Sequence, residues 1–583
     1  MTDVNKLITD NIDVWTSAIK KRNSQGRGSS KKIELTGVKK LRELILELAV
    51  RGKLVPQDAN DEPARVLLER IAEEKLQLVA DKKIKKQKPL PTITDEEIPF
   101  VLPSGWEWLR LGNAGSGSTG KTPSTRNADF FGGNIQFIGP GNITPKGQLL
   151  EADKYLTELG VEQSTSAIAG DLLMVCIGGS IGKSAIAIEH VAFNQQINAM
   201  QPIEVLSKFL KHTVSTHTFY NSVIEKSTGS ATPIINRGKW EELLIPIAPL
   251  AEQHRIVAKV DELMALCDQL DQQTEESLSA HQTLVEVLLA ALTNSENVDD
   301  FQTSWQRIAE HFDVLFTTEN SIEQLKQTIL QLAVMGKLVP QNPSDEPASV
   351  LLEKIAEEKA QLIADKKIKK QKPLPPITDE EKTLELPSGW EWVKWDNIAI
   401  KIGDVDHKMP TEEPNGVPYV SPRDFFPNNV INFDNAKKIL HSDFDRLAAK
   451  IQPQKGDIIF PRYGTIGANM LVETDIDFLA SYSCCVIKTM HGFISAKYQF
   501  IFSLSFFVKG QCKKAEKKTT QPNVGIKSIQ EFVVPLPPLA EQHRIEAKVD
   551  ELMALCEQLK ARLSDAQTTQ LHLADAVVEN ALN

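Results

Sequence analysis

The chain has 583 residues, 41% apolar and 25% charged, with a formal net charge of -11. That is too long for a single ordinary core and too apolar for a disordered chain, so three or four globular units are expected. With no run of about 18 apolar residues and no leading basic-then-apolar segment, the chain reads as cytoplasmic rather than secreted or membrane-bound.

Two blocks recur. Residues 41–108 match residues 325–392 without a gap at 51 of 68 positions, and the 22 residues from Pro249 return at Pro538 with 20 the same. Between the blocks lie inserts of 140 and 145 residues that share only scattered similarity. The order is therefore frame, insert, frame, repeated.

Leu41, Leu44, Ile45 and Leu48 keep a helical three-four spacing until Gly52 and Pro56, as do Ile322, Leu325, Ile329 and Leu332 until Gly336 and Pro340. A second helix is expected after Asp-Glu-Pro, with Asp345 able to cap it, Pro347 in its first turn, and Val350, Leu351, Ile355 and Leu362 as its stripe. It should end in a lysine tract, Lys82, Lys83, Lys85, Lys86 and Lys88 or Lys366, Lys367, Lys369, Lys370 and Lys372. Such a tract suits phosphate contact or a solvated helix end. Each insert, with its turn residues and short β-type runs such as Asp171–Ile177 and Asp457–Phe460, predicts a compact α+β domain.

The second block predicts coiled-coil seams at Ile256, Val260, Leu263, Cys267 and Leu270 and at Ile545, Val549, Leu552, Cys556 and Leu559. An amphipathic helix packed on a globular core is the other reading. The register loosens after Leu270 and resumes at Leu278, Val285, Leu288 and Leu292, so the helix runs to about 45 residues, roughly 67 Å. The chain thus reads as α+β, with two globular α/β domains separated by a long antiparallel two-helix coiled coil in a cyclic, pseudo-twofold internal repeat. The expected divisions are 1–98 (helical), 99–248 (first insert), 249–385 (central helices and second frame copy), 386–537 (second insert) and 538–583 (last helix).

Gly115–Thr122 satisfies a phosphate-loop pattern, with Lys121 and Thr122 as phosphate and magnesium contacts. Pro123 follows at once where a helix must begin, and the second insert lacks the pattern, which argues against an ATPase. The shorter Gly178–Ser184 and Gly464–Gly467 runs are better read as a shared tight turn. No other catalytic constellation is found. His254 and His543 are expected to pack or cap. Cys176, Cys267, Cys484, Cys485, Cys512 and Cys556, without C-x-x-C spacing, suit packing more than metal. What remains is polar and basic surface: Lys121, Thr122, Arg126, Asn142, Lys183, Gln195, Gln196, Arg237 and Lys239 in the first insert, and Arg423, Arg462, Tyr463, Lys517, Lys518 and Gln521 in the second. Arginine suits guanine and amides suit adenine in the major groove.

The duplicated Pro-Leu-Ala-Glu-Gln-His-Arg-Ile helix (249–256, 538–545), the duplicated Leu-Pro-Ser-Gly-Trp-Glu-Trp segment (102–108, 386–392), Gly120-x-x-Pro123 to Asn142 and the Gly-[Ser/Thr]-Ile-Gly turns together resemble the specificity subunit of type I restriction-modification enzymes. The resemblance covers almost the whole chain. It implies a non-catalytic subunit whose two inserts are target recognition domains, each reading half of a split, asymmetric double-stranded DNA site, with the helices as spacer. It also implies two methylation subunits and motor-nuclease subunits as partners, with S-adenosylmethionine, ATP and Mg on those partners and none bound by this chain. A coiled-coil adaptor without sequence readout is the other non-enzymatic alternative.

Overall fold

In a computed structural model, residues 4–21, 33–229, 232–516 and 522–582 are described. The chain is α+β and divides into two compact units, residues 1–278 with 565–583, and residues 279–564. Six helices build the frame: α1 (Thr36–Val50), α2 (Ala64–Ala80), α3 (Leu250–Thr293), α4 (Glu319–Val334), α5 (Ala348–Ala364) and α6 (Leu539–Leu582). α3 and α6 have 44 residues each, about 66 Å at 1.5 Å per residue.

In the first unit the α3 seam is buried, with Ile256, Val260 and Cys267 at 0% exposure, and it shares one core with Ala574 and Ala581 of α6. Ion pairs and hydrogen bonds fix the directions. Arg42, early in α1, reaches Asp268 and Asp271 of α3 at 2.8 Å, while Gln57, past the end of α1, reaches Glu252 at the start of α3. Lys40 pairs with Asp575, and Lys53 donates to the Leu582 carbonyl at 2.6 Å. α1 therefore runs antiparallel to α3 and parallel to α6, which makes α3 and α6 antiparallel. The heptads predicted two helices; a third, supplied by the first frame block, lies along them.

The second unit repeats the plan. Ile545, Val549 and Cys556 are buried with Val285, Leu289 and Leu292, and Leu552 and Leu559 are partly covered at the margin. Lys326 of α4 meets Glu557 at 2.5 Å, and Lys337 donates to the Thr293 carbonyl at 3.0 Å.

The repeated words of the sequence are the joints of this frame. Trp106 donates its indole N–H to Glu252 at 2.9 Å, Gln253 Oε1 accepts from the Leu206 amide, and Arg255 grips both oxygens of Asp61. Trp390–Glu541, Gln542–Ser495 and Arg544–Asp345 repeat all three. Burial pushes the Glu252 and Glu541 carboxyls above the usual range, against the lowering by Trp and Gln hydrogen bonds.

Two expectations change. Asp345 does not cap α5, whose N-cap is Pro347, because its carboxylate is taken by Arg544. His254 and His543 neither pack nor cap a helix end: both are exposed on the outer face, with His543 3.3 Å from Glu546. All six cysteines are buried and unpaired.

Candidate nucleic-acid interface

Each insert carries a four-stranded antiparallel sheet. In the first the strands are β1 (Gly115–Thr119), β2 (Leu172–Val175), β3 (Ser184–Ile186) and β4 (Ile197–Pro202), in spatial order β1-β4-β2-β3. Asn198 opposes both Thr119 and Met174, and Met174 opposes Ser184. This register brings the end of β1, the start of β4, the end of β2 and the start of β3 to one edge of the sheet.

That edge collects most of the residues expected from the sequence. Lys121 and Thr122 follow β1, Gln195 and Gln196 precede β4, and Lys183 closes the turn after β2. Thr122 Oγ1 donates to Gln195 Oε1 at 2.6 Å, the Lys121 amide to the Phe193 carbonyl, and the Cys176 amide to the Gln196 carbonyl. Arg237 reaches the Gly117 carbonyl at 3.4 Å and pairs with Glu241, while Lys239 Nζ donates to the Lys226 carbonyl. Arg126 is exposed in the loop after Lys121. Asn142 is occupied otherwise, accepting from the Gly139 amide and donating to the Glu151 carbonyl, so its amide holds a loop.

The phosphate-loop match is a strand. Gly115 to Thr119 pair residue by residue with Pro202 to Asn198, so their amides lie in an extended ladder and form no cradle for phosphate. The Gly-rich turns do turn: Gly178 and Gly182 have φ of 92° and 89°, Gly464 and Gly467 of 71° and 92°, a region that favours glycine.

In the second insert the strands are β5 (Ala399–Gly403), β6 (Ile458–Pro461), β7 (Met470–Leu471) and β8 (Cys484–Thr489), in order β5-β8-β6-β7. Backbone bonds align the two edges position by position. The Cys176 amide donates to Gln196 as Arg462 donates to Ser483; Gly178 donates to Pro233 as Gly464 donates to Pro522; Ile235 donates to Cys176 as Val524 donates to Arg462. Cys176 and Ile177 thus occupy the places of Arg462 and Tyr463.

The chemistry at those places differs. Cys176 is 2% exposed, accepts from Asn198 Nδ2 at 3.2 Å, and has its thiol pushed up to about 12 by burial. Arg462 is 4% exposed, donates to Asp404 at 2.5 Å, lies 3.1 Å from His407 Nε2, and places its guanidinium 4.5 Å from the Tyr463 ring centre. Tyr482 stacks on His407 and meets Tyr463 edge-on. Arg462 therefore holds the cluster together, and Tyr463, His407 and Tyr482 present its surface. Asp404, His407 and Tyr482 were missed from the sequence; their one signal is position, since they follow β5 and precede β8 as Lys121 follows β1 and Gln196 precedes β4. Arg423 is exposed, 3.5 Å from Asp424. Lys517, Lys518 and Gln521 lie outside the described residues. Among the described residues no group of His, Cys, Asp and Glu could hold a metal ion, and no helix is long and apolar enough to cross a membrane.

Two domains of one plan, with different side chains on the same sheet edge, and a duplicated helical frame define an internally repeated protein with two distinct polar surfaces. The family model for the type I restriction modification DNA specificity domain matches residues 103–280 and again 387–566. The chain is 41% identical to the EcoAI specificity subunit and 40% identical to the EcoEI specificity subunit, both type I restriction enzymes of Escherichia coli, over all of each chain. The crystal structure of the HsdS subunit from Thermoanaerobacter tengcongensis aligns with 83% of this chain and 98% of its own, at 17% identity and a TM-score of 0.41. The chain belongs to the type I restriction-modification specificity family.

Proposed function

We propose that this chain is the DNA sequence-recognition subunit of a type I restriction-modification complex, in which each insert domain reads one half of a two-part, asymmetric site. The observation that carries this reading is the sheet edge. Hydrogen bonds superpose the two edges place for place, yet one offers Lys121, Thr122, Gln195 and Gln196 and the other Tyr463, His407 and Tyr482. A common scaffold with different donor, acceptor and ring surfaces is what separate readout of two base sequences requires.

The frame then spaces the domains and receives two methylation subunits, one at each copy of its repeated surface. Catalysis lies with those subunits and with motor-nuclease subunits, which supply S-adenosylmethionine, ATP and Mg chemistry in the cytoplasm. The test is an exchange of residues 393–537 for the corresponding segment of a relative of different specificity, followed by mapping of methylated adenines. One half of the modified sequence is expected to change while the other stays. An unchanged sequence, or a change in both halves, sinks the assignment of one half-site to each domain.

A further inference from the structure

The family match begins at residues 103 and 387, after both lysine tracts, so the recognition reading leaves those tracts without a role. Resting on that reading, we propose that the two tracts, Lys82 to Lys88 and Lys366 to Lys372, are a pair of sequence-blind clamps for the DNA phosphate backbone, one beside each recognition domain.

The turn that opens each tract is the first reason. α2 ends with the Lys82 amide on the Val79 carbonyl and the Lys83 amide on the Leu78 carbonyl, and α5 repeats this with Lys366 on Ile363 and Lys367 on Leu362. Such a helix end needs one residue of positive φ, a place glycine fills without strain. The chain uses glycine at the same place after α1 and α4, where Gly52 and Gly336 have φ of 63° and 68°. After α2 and α5 it keeps lysine in both copies, at φ of 59° and 61°. The strained backbone is retained together with the side chain, which points to a use for the side chain outside the turn.

Charge is the second reason. All ten lysines are exposed, and among the described residues only Lys83 and Lys367 have an ion-pair partner, the neighbouring Asp81 and Asp365. In a chain of net charge -11, two dense cationic segments, each with four of its five lysines outside any ion pair among the described residues, are the kind of local positive field that a polyanion requires. Protein interfaces are depleted of lysine and enriched in aromatics and arginine, whereas lysine serves phosphate as a point charge. The tract sequence is identical in the two copies although the neighbouring domains differ, which suits a ligand that is the same at both half-sites.

Placement is the third. Each tract is anchored by its helix and, beyond its other end, by a short strand that precedes the sheet (Glu107–Arg110 and Glu391–Lys394), where Arg110 donates to the Pro91 and Thr92 carbonyls and Lys394 pairs with Glu381. Lys75 of α2 donates to the Gly112 carbonyl just before β1, and Lys359 of α5 donates to the Ala399 carbonyl at the start of β5. Burial, then the nearby Lys369 and Lys450, lowers the pKa of Lys401 on β5. The tracts thus lie beside the starts of β1 and β5, and the reading edge lies at their far ends, about 15 Å away by strand rise. That is four or five base pairs at about 3.4 Å each, within reach of a duplex that extends from the edge along the strand direction.

The experiment uses the full chain assembled with its methylation subunits, and measures affinity for a cognate and a scrambled duplex across a salt series. Variants are Lys82→Gly with Lys366→Gly, and glutamine at all ten lysines. The glycine pair relieves backbone strain, so its thermal midpoint should not fall and a lower affinity cannot be blamed on misfolding. The ten-glutamine variant should flatten the slope of log affinity against log salt by about 0.9 for each phosphate that is no longer neutralised, at least about 2 in all. It should weaken both duplexes by the same factor, about tenfold or more near 0.1 M salt, with the methylated sequence unchanged. An unchanged slope overturns the proposal, as does failure to assemble methylation subunits while residual complexes keep the wild-type slope, which would make the tracts a protein-docking site. A wild-type complex that cannot tell the two duplexes apart overturns the recognition reading instead, and the salt slope still decides the role of the lysines.

Discussion

Glu97 and Arg110 show how a single pair ties the recognition domain to the extended segment that leads into it. Arg110 is 4% exposed and donates from both terminal nitrogens to the Glu97 carboxylate, at 3.0 and 2.7 Å. The Arg110 hydrogen bonds, with the Thr94 amide second, bring the Glu97 carboxyl down to about 2 from an ordinary 4.5. A carboxyl lowered in the folded state contributes stability above its unfolded value and loses it as pH falls toward the folded one. Stability of the first unit should therefore decline between about pH 4.5 and pH 2, and Glu97→Gln should flatten that part of the profile in urea midpoints taken across pH. An unaltered slope would mean that the pair contributes nothing to folding. Neither residue was identifiable from the sequence, because their separation of 13 positions follows no local period. Arg462 was legible as a basic residue beside a Gly turn. Its burial and its hold on Asp404 were not, since both depend on how β5 and β6 come to lie near one another.

The long helices were the most legible elements. A three-four alternation over five apolar positions can be satisfied only by a helix with one buried stripe, and Ile256, Val260, Leu263, Cys267 and Leu270 are buried as that pattern requires. Leu263→Ala leaves a cavity in a seam where the side chain is 1% exposed, a cost of about 2–5 kcal/mol. Amide exchange over residues 256–270 should accelerate by about thirtyfold or more; exchange at the wild-type rate would show that the seam is not closed in solution. Helices α1 and α4 were predicted, but not that each lies along the long helices, because their stripes read the same whether they cover a sheet or a helix pair. Arg42 with Asp268 and Asp271, and Lys326 with Glu557, decide their partners, and charges more than 200 positions apart cannot be matched by inspection of one sequence.

Duplication gives the chain two helical stretches whose length can be changed without touching either sheet edge. Removing seven residues from both α3 and α6 in their polar stretches, 272–278 and 561–567, shortens each helix by about 10 Å. If the helices set the gap between half-sites, the unread gap in the methylated sequence should contract by about three base pairs at 3.4 Å each. An unchanged gap in an active complex would remove the helices from that role. The repeat, the insert lengths, the seams and the turn glycines were all decided by sequence, because each is a local or periodic constraint that any fold of this chain must satisfy. Tertiary structure alone decided which loops share an edge, that Cys176 and Arg462 occupy the same place, that Asn142 bonds its own loop, and that Arg462 is buried against Asp404. Strand order and register bring together residues far apart in the chain, and no period in the sequence encodes that meeting.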